Sequence, residues 1–262
     1  MKLRTLITLV LFCAAITTIT AQKAKNFEVG LQAGYSNTWI INQNNYGLPE
    51  LDYDPYWGSG FNFQAGYNFT SEMGVFIEIG LANTGQNYKD NNYTHNVGDE
   101  TISFSDVKRT IDMSYLNIPV FFKYATGEGV ARFRLLVGPQ FGFLQKAEQE
   151  FIGDGQDFAN IEAYQNWEMS NGKEVNVGEK DIKERYNNMD ISLVLDLGAD
   201  IFVIQEMLYL SVAFRGYYGF TDINATDYQV ENYDGNYDPS HNAGGGFFFG
   251  VHYIIGGGSV EE

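Results

Sequence analysis

Seven residues carry most of the chemistry this sequence could set in fixed positions: Glu78, Lys123, Arg134, Asp196, Asp200, Arg215 and His252. Each lies in a run where apolar and polar side chains alternate, on the side opposite the apolar ones. Glu28 and Arg132 share that side, so the charged set is four acids against four bases. Such a set can line a path for ions, or it can neutralise itself as ion pairs within a packed interior. Equal numbers favour the second, because an unpaired buried charge is costly. The expectation is an interior polar network rather than a catalytic or metal centre.

Other chemistry finds less support. An acyl hydrolase or transferase would use a histidine beside a serine or aspartate. His95 and His241 fall between the alternating runs, and His252 falls within one. No Ser or Asp stands at a fixed short spacing that would make a nucleophile–base pair with any of them. His252 is therefore expected to be an interior hydrogen-bonding group and the protein not to be an enzyme. Asp234, Asn236 and Asp238 have the alternate spacing of a calcium loop. Pro239 stands where the turn glycine belongs, however, and Gly245 where a closing glutamate belongs, so no metal is assigned. No glycine-rich phosphate loop is present; Ala243 to Gly246 is a flexible entry to the last run. No cofactor is expected.

The runs themselves must position these residues. In Tyr115 to Tyr124, Leu116, Ile118, Val120 and Phe122 fall on one side and Asn117, Pro119, Phe121 and Lys123 on the other, the period of a strand between two unlike environments. Eight segments show it, near 27–36, 60–70, 75–83, 113–124, 131–143, 190–203, 207–218 and 245–255. Their lengths suit the ~9–11 residues of a tilted membrane strand. Short connections (71–74, 125–130, 204–206) alternate with long ones (37–59, 84–112, 144–189, 219–244). This puts every long loop at one end, as in outer-membrane barrels. The spacing predicts an all-β fold, an eight-stranded antiparallel up-and-down transmembrane β-barrel with long extracellular loops. Its apolar side would face lipid and its glycine- and charge-bearing side the lumen. A lipocalin-like barrel with the apolar side inward is disfavoured, since eight close strands leave little room for so many rings. Tyr35, Phe69, Tyr124, Phe143, Tyr218 and Tyr253, near the strand ends, suit interfacial girdles. Pro119 cannot donate to a ladder and predicts a local bulge.

Residues 1–21 have the form of a secretory signal peptide: Lys2 and Arg4, an apolar stretch from Leu6 to Ile19, and Ala21 before Gln22. The barrel domain would then span 22–262. Cys13, the single cysteine, falls in that leader, so the exported chain would have no disulfide or thiol chemistry. Beyond it no apolar run reaches the ~18 residues of a spanning helix.

The formal charge of −17 argues against nucleic acid as a partner. The four long loops hold 23 acidic residues against eight basic ones. They present a surface for a basic protein partner or for divalent cations, beside the outer-membrane lipid the barrel itself would contact. Tyr53 to Trp57 and Asn232 to Tyr237 are rich in tyrosine, suited to stacking against protein or glycan, or to packing over the barrel mouth. Ile161 to Met169 suits a short helix or hairpin.

Tyr115 to Tyr124 resembles the Tyr-Leu-x-Ile-Pro-Leu-Leu-x-Lys-Tyr segment of the PorT-like outer-membrane barrels of Bacteroidota. Gly138-Pro139-Gln140-Phe141-Gly142, Arg215 to Ile223 and the Ala21-Gln22 junction are similar to that family too. The resemblance implies the same barrel and export to the outer membrane; one member is implicated in type IX secretion, a role that fold alone does not transfer, and the expectation for this chain is a subunit or accessory factor of a larger envelope assembly. The segment from Gly256 to Glu262 departs from the family, whose chains end on a strand with a terminal aromatic. The function expected is thus a non-enzymatic structural or interaction component, with a narrow porin-like channel or a lipid-modifying enzyme as alternatives.

Overall fold

The computed structural model describes residues 25–126, 129–205, 207–231 and 235–255. The expected leader, Asp234 of the calcium reading and the segment 256–262 lie outside the described residues. Eight long strands form a ring: β1 (Asn26–Ile41), β2 (Tyr56–Asn68), β3 (Met73–Asp90), β4 (Val107–Thr126), β5 (Ala131–Gly153), β6 (Met189–Ile204), β7 (Leu208–Gly219) and β8 (His241–Ile255). Each pairs antiparallel with its neighbours in the chain, and β1 pairs with β8 from Phe27↔Ile255 to Ile41↔His241, which closes the barrel and leaves no edge. This is the eight-stranded antiparallel barrel that the alternation predicts. No helix among the described residues is long and apolar enough to cross a membrane.

The two faces separate as expected. Along β1, Phe27, Leu31 and Tyr35 stand outward, 51–61% exposed, whereas Glu28 and Gln32 are 1% exposed. The same outward row continues through Phe61 and Phe63, Ile77 and Ile79, Leu195 and Leu197, and Phe247 and Phe249. In a bilayer this apolar band meets acyl chains. Tyr35 stacks on Trp57 at 6.5 Å near one end. Phe27, Tyr67 and Phe69 stack in series near the other, at 5.1 and 5.6 Å.

Inside, the glycines have a specific use. Several face rings that point into the lumen, which the sequence reading did not anticipate. A Cβ on Gly66 would lie 2.1 Å from the Phe76 ring, and one on Gly34 2.5 Å from Phe248. Phe76, Phe121, Leu136 and Val194 form a small apolar cluster inside the barrel. Since the ring beside Gly66 is hemmed in, G66A is expected to lower unfolding free energy by ~1–3 kcal/mol. Urea unfolding in micelles would measure it. G216A is the control, because there a Cβ meets nothing nearer than 3.8 Å.

Two expectations need correction. Pro119 makes no bulge. It pairs with Gln140 in the same register that aligns Phe122 with Val137. The rungs that a missing N–H would weaken are simply absent, and the ladder resumes beyond them. The register shift in β4 lies instead between Ser114 and Tyr115, opposite Gln145. The long loops are also shorter than expected, because β3, β4 and β5 run well past the apolar band, for 18, 20 and 23 residues in all.

Beyond the band the polarity of the strands inverts. Tyr88, Ile111, Met113, Ala147 and Phe151 now point inward and are buried, while Lys89, Lys108, Lys146 and Glu148 face out. Leu144 faces in by ordinary alternation after Phe143; the extra residue at Gln145 then shifts the phase of β5 by one, so that Ala147 and Phe151 face in although Phe143 faces lipid. The connections fold onto this extension and share one hydrophobic core with it. Residues 161–169, expected as helix or hairpin, supply both: a helix, α1 (Glu162–Gln165), then a hairpin of Trp167–Glu168 with Glu174–Val175. Phe158 stacks on Phe151 at 4.0 Å and on Tyr164 at 4.8 Å. Burial raises the Tyr88 and Tyr186 phenols above their usual range, so both stay neutral at physiological pH. Arg185, fully buried here, donates to the Asn176 carbonyl at 2.7 Å and lies 5.3 Å from the Tyr46 ring. The barrel thus carries a folded cap rather than free loops.

Candidate functional site

The strand register brings the predicted polar residues together along the lumen. Arg215 on β7 is central. It donates from Nη1 and Nη2 to both Glu78 oxygens, at 2.7 and 2.9 Å, and from Nε to Asp196 at 3.0 Å. A further bond from Nη2 reaches Gln32 at 3.0 Å. Two guanidinium nitrogens against one carboxylate make the Glu78 pair bidentate, the strongest ion-pair geometry. Asp196 pairs in turn with Arg134 at 3.1 Å, and Arg134 with Asp200 at 3.5 Å. Gln64 closes the far end by donating to Glu78 at 2.9 Å. Hence Asp200, Arg134, Asp196, Arg215 and Glu78 form a continuous chain across the barrel.

Lys123 stands apart from this chain and pairs with Glu28 at 2.9 Å. Its ammonium also lies 4.8 Å from the Phe76 ring. Asn68 and Tyr209 donate to the same carboxylate. The ion-paired side chains of both groups are at most 8% exposed. Arg132 differs. It is half-buried, 4.7 Å from the Phe202 ring, near the short turn after β6.

His252 is placed where the sequence expects it, inside, and fully buried. It stacks on Tyr209 at 4.6 Å, and its Nε2 lies 2.9 Å from the Ser211 hydroxyl. Glu28 lies 3.9 Å from Nδ1. An acid, an imidazole and a hydroxyl thus stand in line, a partnership invisible in the sequence because Ser211 and His252 come from different strands. All three are sealed in the lumen, however, with Ser211 only 4% exposed. The arrangement can hold hydrogen bonds but offers a substrate no approach.

Beside Arg215 the lumen holds a cavity of ≈ 50 Å³, lined by residues that include Asn62, Gln140, Asp190, Tyr217 and Asn242. That admits a few waters, at ~10–15 Å³ each. Asp190 accepts bonds there from Thr221 at 2.7 Å and Asn242 at 3.1 Å. Among the described residues no group of three or more His, Cys, Asp or Glu is placed to hold a metal ion.

The structure is similar to Neisserial surface protein A, with 11% identity, 89% of this chain and 100% of that one covered and a TM-score of 0.42. It is similar to OprG of Pseudomonas aeruginosa at 11% identity, 90% and 99% coverage and a TM-score of 0.37. Ail of Yersinia pestis, solved with the heparin analogue sucrose octasulfate, gives 12% identity, 87% and 99% coverage and a TM-score of 0.36. No curated protein matches the sequence. The family model described as an outer membrane protein beta-barrel domain matches residues 20–225. With its closed eight-stranded ring and outward apolar band, the chain is an outer-membrane protein and belongs to the outer membrane protein beta-barrel domain family.

Proposed function

We propose that this protein is a non-enzymatic structural or interaction component of the outer membrane, closed to ions along its lumen, that meets its partners through the acidic cap. It would serve as an accessory subunit of a larger secretion or uptake assembly. The observation that carries this reading is the ion-paired chain from Asp200 to Glu78, whose side chains are at most 7% exposed. A conducting lumen needs a continuous water-filled path. Here Arg215 and Arg134, each held by two carboxylates, fill the cross-section with the Phe76 and Phe121 rings. Eight strands enclose an interior just wide enough for side chains.

Planar-bilayer recordings of the refolded protein test the reading. The expected trace shows no stable open level. A steady, reproducible conductance would instead establish the narrow passive channel.

A further inference from the structure

A groove of ≈ 740 Å³ runs over the outward face of β1, β2, β3 and β8. That lies within the ~300–1,000 Å³ of ligand sites. The strand register explains it. Ala33 is small, on an outward row of β1 that reads Phe27, Val29 and Leu31 before it and Tyr35 after it. It pairs with Phe249 on β8 and with Phe61 on β2, and Phe61 pairs in turn with Leu81 on β3. A low floor thus stands between tall apolar walls. One step nearer the cap, Tyr35 pairs with Phe247 and with Ser59, which is again small and is exposed. Among the described residues no charged side chain lines the groove.

The wall changes character at the same level. The β2–β3 ladder ends at Gly60↔Ala82. Pairing resumes only before β2, at Asp54↔Asn87, one residue out of step. Over the gap β1 reaches across instead: the Thr38 hydroxyl donates to the Gly85 carbonyl at 2.9 Å and accepts from the Gly85 N–H at 3.0 Å. An interrupted ladder is costly in hydrocarbon, so this stretch belongs at headgroup level. The groove therefore passes from hydrocarbon, at Ala33 and Leu81, to the interface, at Ser59 and Asn83.

We propose that this groove holds one acyl chain of a lipid from the leaflet beside the cap, retained while the surrounding lipid exchanges. The groove is continuous with the apolar band that meets the bilayer, so a lipid tail enters it from the side without crossing polar surface. A tail already in hydrocarbon gains nothing by leaving water. Its gain is contact, because rings beside an unfilled groove lack partner atoms on one side. At the outer end the Ser59 hydroxyl and the Asn83 amide stand at the level of the ester oxygens of the same lipid. The assignment needs the barrel to lie in a bilayer, but not a closed lumen.

The test uses the whole chain, refolded into vesicles of phosphatidylethanolamine and phosphatidylglycerol, extracted into mild detergent and weighed by native mass spectrometry. One lipid per chain should outlast the rest. The chain has three tryptophans, and W39F/W167F leaves only Trp57, at the groove. Lipid brominated on its acyl chains should quench Trp57 fluorescence in the one-lipid complex. A33F fills the floor, and retention should fall about tenfold with the urea midpoint unchanged, since Ala33 faces out. S59F fills the groove from β2 with the same expected direction. A199F makes the first change on the outward row of β6, outside the groove, and should keep the lipid. The proposal is overturned if no single lipid is retained, if both filling variants retain it like wild type, if A199F loses it as fully, if Trp57 is not quenched, or if the surviving species is a dimer of the chain.

Discussion

Replacing Arg215 with methionine should lower the unfolding free energy of the barrel by ~3–5 kcal/mol, the cost of breaking a buried ion pair from one side. The guanidinium satisfies both oxygens of Glu78 and one of Asp196 within 3.0 Å, and it lies 4.8 Å from the Phe248 ring. Without it Asp196 keeps Arg134, but Glu78 keeps only the Gln64 amide. A carboxylate 1% exposed would then stand in the lumen with no counter-charge. The double variant R215M/E78M tests the cause. Removing both partners of a buried pair is often close to neutral, so the second change should recover much of the loss. Urea titration of the refolded barrel, followed by tryptophan fluorescence, measures both. If the single variant loses less than ~1 kcal/mol, or the double loses as much as the single, the chain of pairs is not what holds the lumen closed.

How far the sequence allows this network to be foreseen depends on which residue is asked about. Glu78, Lys123, Arg134, Asp196, Asp200, Arg215 and His252 all lie on the inward side, because period-2 alternation assigns a face without knowledge of partners. Which acid meets which base is a matter of register. Arg215 and Glu78 are 137 residues apart in the chain and not on neighbouring strands. The Ser211–His252 contact was hidden for a related reason: it follows from β7 and β8 pairing, not from any local spacing. The inward ring of Phe76 was missed differently. It is an apolar residue on the polar side, and Gly66 opposite it makes room for the ring.

The cap was less legible still, and the reason lies in the solvent. Residues 84–90, 107–112 and 147–153 keep alternating, but with the sense reversed, so a search for apolar-outward strands ends where the bilayer ends. Tyr88, Ile111 and Phe151 then look like residues of a loop, although each is a buried position of a strand. Of the tyrosine-rich stretches, Tyr53 and Tyr237 line one pocket of the cap together with Tyr88, which belongs to a strand continuing beyond the apolar band.

An arginine in place of Ile79 should cost ~2–4 kcal/mol, and the cost should fall toward zero along the outward row of β3. That row runs Val75, Ile77, Ile79, Leu81, Asn83, Gly85, Asn87 and Lys89. Ile79 is 49% and Leu81 59% exposed, and Ile79 stands between Ile77 and Leu81 on its row, so it must meet hydrocarbon, while Leu81 borders Asn83. At Asn83 the row turns polar: its amide donates to Asp112 at 3.2 Å and to Ser114 at 3.3 Å. Lys89 already carries a charge there and pairs with Asp54 at 2.9 Å. The bilayer surface therefore lies between Leu81 and Asn83. I79R should show the full penalty, L81R a reduced one, and N87R almost none. Reversible folding into liposomes, titrated with urea, gives the three values on one scale. A soluble barrel would give a different profile, because an exposed position in water tolerates arginine equally at all three sites. Equal tolerance would therefore place the Ile79 row in water and move the membrane away from this band.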